Sequence, residues 1–139
     1  MALVLDTGPI LALMVASDRH HAACLRMVHV TAATLVVPAA TLVEVDYWVR
    51  KRLTPEVWRA FVEDVGAGAY RLEAGNETDL VRVCEPEEQY ADLGLGFVDA
   101  SVIALCERLG EPKVVATLDH RDFSVVVPRH VPALELLPS

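Results

Sequence analysis

Four carboxylates in this chain have the type and spacing that could do chemistry: Asp6, Glu44, Asp99 and Asp119. Asp6 halts the apolar run of residues 2–5, and Asp119 closely follows a second such run, residues 113–117. Glu44 has Ala40, Thr41, Tyr47 and Trp48 at helical neighbour positions, so no Lys or Arg answers it along its own helix. Asp99 falls inside the apolar arc of a helix that begins at Phe97. Bland readings stand beside each of these. Asp6 and Asp99 can cap the helices they precede or open, and Glu44 can be a semi-exposed acid. Were the four to converge, they would repel one another, and a divalent cation removes that repulsion. Carboxylate oxygens with room for water suit Mg²⁺ or Mn²⁺ rather than zinc. An ion so held can generate hydroxide from bound water and steady a phosphodiester during in-line displacement.

The elements that would position these acids alternate along the chain. Residues 2–5, 34–37, 69–72, 113–117 and 125–127 read as short buried strands, apolar or β-branched and closed by Asp, Pro or Gly. Between them lie helical stretches. Residues 10–30 break near Ser17-Asp18, which supply an N-cap for the second half; His20 and His21 then lie in a solvated first turn. Residues 39–52 end in Arg50-Lys51-Arg52, which complements the helix dipole, with a phosphate contact as its other use. Within that helix Asp46 and Arg50 form an ordinary exposed pair. Thr54-Pro55-Glu56 starts a helix with proline at its first position. Residues 76–90 form a polar helix interrupted around Pro86. Residues 97–109 form an amphipathic one, with Ala100, Ser101, Ala104, Glu107 and Arg108 on the arc assigned to solvent. Gly110 ends it, and the tail with Val131, Leu134, Leu136 and Leu137 packs along an edge. Strands alternating with helices predict an α/β fold: a parallel sheet of four to five strands between two helical layers. If the first and fourth strands are neighbours, Asp6 and Asp119 flank the crevice where strand order reverses. No repeat, linker or composition shift divides residues 1–139, which read as one domain.

Composition narrows the choice of function. The chain has 139 residues, a net charge of −8 and 53% hydrophobic residues, enough for one filled core. A protein holding nucleic acid by counterion release alone should be basic. The partner is therefore not nucleic acid, or the acids are concentrated in one cation-filled site, or a basic partner covers part of the surface. Cys24, Cys84 and Cys106 show no metal-ligand spacing and read as reduced thiols of a cytoplasmic protein. No signal peptide or membrane span is expected.

Taken in order, Asp6-Thr-Gly, Glu44 in Leu-Val-Glu-Val, Phe97-Val-Asp99-Ala-Ser and Thr117-Leu-Asp119-His-Arg-Asp122-Phe resemble a PIN-domain ribonuclease. The size and the closing Leu-Leu-Pro resemble the VapC toxins of bacterial type II toxin–antitoxin modules, and the resemblance covers essentially the whole chain. It implies a PIN-like three-layer α/β/α domain whose acidic site binds one or two Mg²⁺ or Mn²⁺ ions and cleaves single-stranded or looped RNA. Asp6 and Asp99 would be the main metal ligands, Asp119 a further ligand, and Glu44 a second-metal ligand or water-orienting base. Asp92 and Asp122 match positions often acidic in the family, without being ligands on that ground. Where many relatives carry Ser after Asp-Thr this chain has Gly8, leaving Thr7 to supply a hydroxyl. The family also implies a homodimer inhibited by a cognate antitoxin whose basic side chains occupy the acidic site. RNA selection would fall to groove shape and scattered bases such as Arg19, Lys113 and Arg121.

Other doubly wound folds fit less well. A haloacid-dehalogenase-type phosphatase needs a second Asp where Gly8 stands, and a response-regulator receiver needs paired acids and a lysine that are missing here. No glycine-rich phosphate loop is present. The rival from another class is a non-catalytic PIN-like binding or regulatory subunit, in which one or more of the four acids should be lost.

Overall fold

The computed structural model describes residues 2–111, 113–115 and 120–138. The chain runs β1 (Ala2–Leu5), α1 (Thr7–Met14), α2 (His21–Val30), β2 (Thr34–Pro38), a 3-10 turn (Ala39–Thr41) and α3 (Leu42–Arg52). It continues through α4 (Pro55–Gly66), β3 (Arg71–Glu73), α5 (Glu77–Gln89), a second 3-10 turn (Ala91–Leu93) and α6 (Phe97–Leu109). The last elements are β4 (Lys113–Val115), α7 (His120–Val125) and β5 (Glu135–Leu137). All five strands are parallel, in the order β3-β2-β1-β4-β5.

Residue alternation in the central strands builds the three layers. Ala2, Val4, Val36 and Val114 face one way and pack with Val102, Ile103 and Cys106 of α6 and with Phe123 of α7. Leu3, Leu5 and Val37 face the other way, onto Ile10, Met27, Val45, Val49 and Phe61 of α1 to α4. A sheet buried on both faces needs strands apolar at every position, as β1 is. The strand order reverses at β1, since β2 and β3 lie on one side of it and β4 and β5 on the other. Asp6 follows β1 directly and so stands at the switch point of the sheet.

Three expectations are corrected. Residues 125–127 form no strand: α7 runs to Val125, and the fifth strand is Glu135–Leu137. Val126 is buried between exposed Val125 and Val127, which imitates strand alternation, but the edge of β4 is taken by β5. The solvent arc assigned to α6 is also buried in large part. Ala100 and Ala104 are in the core because α5 packs along that side. Their small side chains let the helices approach, and the polar residues at the margin are paired: Arg82 Nε and Nη2 donate to Glu107 Oε1 and Oε2, each at 2.9 Å. Arg108 Nε donates to Asp79 Oδ2 at 2.9 Å. Finally, α2 starts at His21 rather than at Ser17-Asp18. Asp18 Oδ1 accepts from the His20 amide at 2.7 Å, and the half-buried His21 ring shares a 2.7 Å hydrogen bond between Nδ1 and the Ala12 carbonyl. That ring therefore ties α2 to α1 instead of facing solvent.

The remaining boundaries follow local rules. Thr54 stands in extended conformation ahead of Pro55, the first residue of α4. Asn76 and Asp79 form a capping box at α5, which carries Pro86 within its span. Gly110 adopts φ +71°, and Glu111 N donates to Cys106 O at 2.9 Å, closing α6 as a left-handed glycine does. The Asp46–Arg50 pair forms as expected, at 3.1 Å.

Candidate active site

At the carboxyl end of β1 the backbone of Asp6 is extended, φ −81° and ψ 172°, and its carbonyl accepts from Ile10 N at 3.3 Å as α1 begins. Asp6 occupies the N-cap position, yet its side chain makes no capping hydrogen bond, so the bland reading of this residue does not describe it. The residue is only 7% exposed. Burying a carboxylate costs several kcal/mol unless it is compensated. Thr7, 9% exposed, opens α1, and its hydroxyl donates to Glu44 Oε1 at 2.7 Å.

Glu44 reaches this point because the chain turns sharply after β2. Pro38 ends the strand, and buried Thr41 donates its hydroxyl back to the Pro38 carbonyl at 2.7 Å, bracing the 3-10 turn that leads into α3. Glu44 lies in the first turn of α3 and is exposed apart from the Thr7 contact. The sequence pointed to Glu44 by its lack of a helical base; it offered Thr7 as a hydroxyl for the site but did not pair the two. Thr41 figured there only as a helical neighbour of Glu44; the signal for its bracing role is a short hydroxyl side chain three residues after a strand-ending proline.

Asp99 is the third residue of α6, half-buried, behind an N-cap, Gly96, that has no side chain to offer. The helix runs antiparallel to the strand that follows it, so its first turn belongs at the same end of the sheet as Asp6. Phe97 and Ser101 of that region line a cavity of about 490 Å³ with Pro38, Ala39 and Ala40 from the end of β2. Asp119 lies outside the described residues. Asp92 is exposed in the 3-10 turn Ala91–Leu93, and Asp122 falls within α7.

Among the described residues no three His, Cys, Asp or Glu side chains group closely enough to hold a metal ion. The geometry brings Glu44 to Thr7, next in sequence to Asp6, and places Asp99 at the same sheet end. The described acids at this end, Asp6, Glu44 and Asp99, offer carboxylate oxygen, the donor type that suits a hard cation such as Mg²⁺ or Mn²⁺.

The fold is that of one class of protein. Residues 3–127 match the family model of the PIN domain, and the chain belongs to that family. It is 28% identical over 126 residues to ribonuclease VapC26 of Mycobacterium tuberculosis, covering 91% of this chain and 93% of that protein. Among solved structures it is similar to VapC20 of Mycobacterium tuberculosis, described as a sarcin-ricin loop cleaving toxin. The TM-score is 0.81 at 19% identity, over 94% of this chain and 99% of the other. It is also similar to VapBC2 of Rickettsia felis bound to a DNA fragment from its promoter. There the TM-score is 0.68 at 15% identity, over 98% and 97% of the two chains.

Proposed function

We propose that this chain is a metal-dependent endoribonuclease and the toxin of a toxin–antitoxin pair. The observation that carries the reading is the Thr7–Glu44 hydrogen bond, which spans 37 residues and brings a helix-borne acid to the residue after Asp6, at the switch point of a PIN fold. End-to-end similarity to ribonuclease VapC26 supports the activity. Asp6, Asp99 and Asp119 are the residues that would hold Mg²⁺ or Mn²⁺. Bound there, such an ion would supply an activated water and offset charge on the scissile phosphate. Glu44, held by Thr7, accepts a proton from the attacking water or fixes its direction. Burial of Asp6 limits competition from bulk solvent.

The partners follow from the same charge distribution. An acidic site in a chain of net charge −8 suits the basic segment of a cognate antitoxin. The similarity to VapBC structures supports such a partner. The chain acts as a homodimer, in the cytoplasm, on structured or single-stranded cellular RNA. None of Cys24, Cys84 and Cys106 is in a disulfide, in keeping with that compartment.

Asp99→Asn tests the reading by removing charge while preserving volume. Cleavage should fall at least 100-fold with an unchanged melting temperature; equal cleavage would remove Asp99 from the mechanism. Mn²⁺ should raise the melting temperature of the wild type, because a ligand that binds only the folded state stabilises it. No shift at millimolar metal would contradict a preformed cation site.

A further inference from the structure

Helix α3 carries more than Glu44. At about 100° per residue, Tyr47, Trp48 and Lys51 fall within about 60° of Glu44 around the helix axis, and Arg52 at about 80°. Val45, about 100° from Glu44, and Val49, about 140° from it, are both fully buried. One face of α3 therefore runs outward from the acidic site as acid, then two aromatic rings, then two cations. Lys51 lies seven residues beyond Glu44, about 10 Å along the axis, or the rise of roughly three stacked nucleotides.

The side chains on this face are ordered by one another. Tyr47, 46% exposed, meets Trp48 edge to face at 5.1 Å between ring centroids. Lys51 Nζ donates to the Tyr47 hydroxyl at 3.0 Å and stands 5.2 Å from the ring centre. The Arg52 guanidinium stands 4.3 Å over Trp48. Arg50, by contrast, is neutralised by Asp46. Among the described residues neither Lys51 nor Arg52 is in an ion pair. In a chain with 12 Lys and Arg against 20 Asp and Glu, two cations outside any described ion pair, next to one exposed and one half-buried aromatic ring, are an uncommon juxtaposition.

We infer that this face of α3 is the track along which single-stranded RNA enters the site. A base stacks on Tyr47 or Trp48 while Lys51 and Arg52 hold the phosphates beside it. The inference rests on the ribonuclease reading and extends it by naming the surface that holds substrate away from the cut. It also resolves how an acidic protein grips a polyanion: the attraction is local, because charges beyond a Debye length are screened.

The test is binding rather than cleavage, by fluorescence anisotropy with a labelled 12-nucleotide single-stranded RNA of mixed sequence, in EDTA, on the full chain. Tyr47→Ala should weaken binding about 5- to 100-fold. Lys51→Ala with Arg52→Ala should reduce the slope of log affinity against log salt by about 1.4, the value for two lost phosphate contacts on a single strand. All three residues are exposed, so melting temperatures should not move. Wild-type affinity and salt slope in these variants would overturn the proposal, as would failure of the wild type to bind the oligomer. Intact RNA binding with loss of self-association or antitoxin binding would give the face to a protein partner instead. Binding that depends on α3 in a chain that cuts no RNA would leave the track standing while the nuclease reading fell.

Discussion

A hydroxyl holding a carboxylate does something a lysine in its place could not. Thr7 orients Glu44 by one short hydrogen bond and leaves its negative charge intact for a cation or a proton. An ion pair would have quenched that charge. Hydrogen bonds to charged groups contribute about 1.5–3 kcal/mol, so Thr7→Val should lower kcat about 10-fold with KM little changed. Thr7→Ser, which keeps the donor, should restore most of it. A fall in both variants alike would make the threonine a packing residue rather than a positioning one. Glu44 was legible in the sequence because the absence of a helical counter-charge can be read from spacing alone. Its tie to Thr7 was not, since a contact across 37 residues depends on how two elements meet. Asp6 was legible as the end of a strand, whereas the failure of its side chain to cap required the backbone geometry.

At the scale of elements, the α5–α6 pair shows why one-dimensional periodicity misassigns a face. A helix between a sheet and a second helix is buried on two sides, so Ala100 and Ala104 read as solvent-facing by moment yet lie in the core. Arg82 and Glu107 seal the margin, with side chains 13% and 10% exposed. Glu107 Oε2 also accepts from Arg129 N at 2.6 Å, and Arg129 pairs with Glu85, linking the segment after α7 to both helices. The pair is part-buried and Glu107 keeps its contact with Arg129 N, so Arg82→Ala should destabilise the fold by about 1.5–3 kcal/mol in denaturant unfolding, the range for hydrogen bonds to charged groups. A loss below about 0.5 kcal/mol, the range of ordinary surface changes, would show that the pair is solvated. The tail reading was sound in placing residues 131–137 along an edge, and short of the fact that Glu135–Leu137 pairs with β4 as a strand. The run 125–127 carried the stronger β-branched signal and lacked only an available neighbour.

For the molecule as a whole, the alternation of apolar strands and helices was enough to specify a parallel sheet with two covered faces. The neighbouring of β1 and β4, which places Asp6 at the switch point, was foreseen as a condition and is met. Among the described residues no helix is long and apolar enough to cross a membrane. Cys24 and Cys106 are buried and Cys84 is exposed. Burial first, then Glu111 and Glu107, pushes the Cys106 thiol well above its ordinary value of 9.0. Iodoacetamide should therefore label Cys84 alone in the native protein and all three thiols after denaturation. The sign for stability follows: below pH 9 both states keep the Cys106 proton, and above it only the unfolded chain loses it, so stability should fall as pH rises. Native labelling of Cys106 at a rate near that of Cys84 would contradict the packing of α6.

An acidic sheet end that cuts RNA with a bound cation should do so with purified components. The most direct measurement is incubation of antitoxin-free protein with total cellular RNA and Mg²⁺ or Mn²⁺, beside Asp99→Asn and an EDTA control, with new ends mapped by sequencing. A few discrete cuts are expected, present only with wild type and metal. Intact RNA from folded, metal-binding protein would contradict it and favour a PIN-fold subunit that binds without cutting.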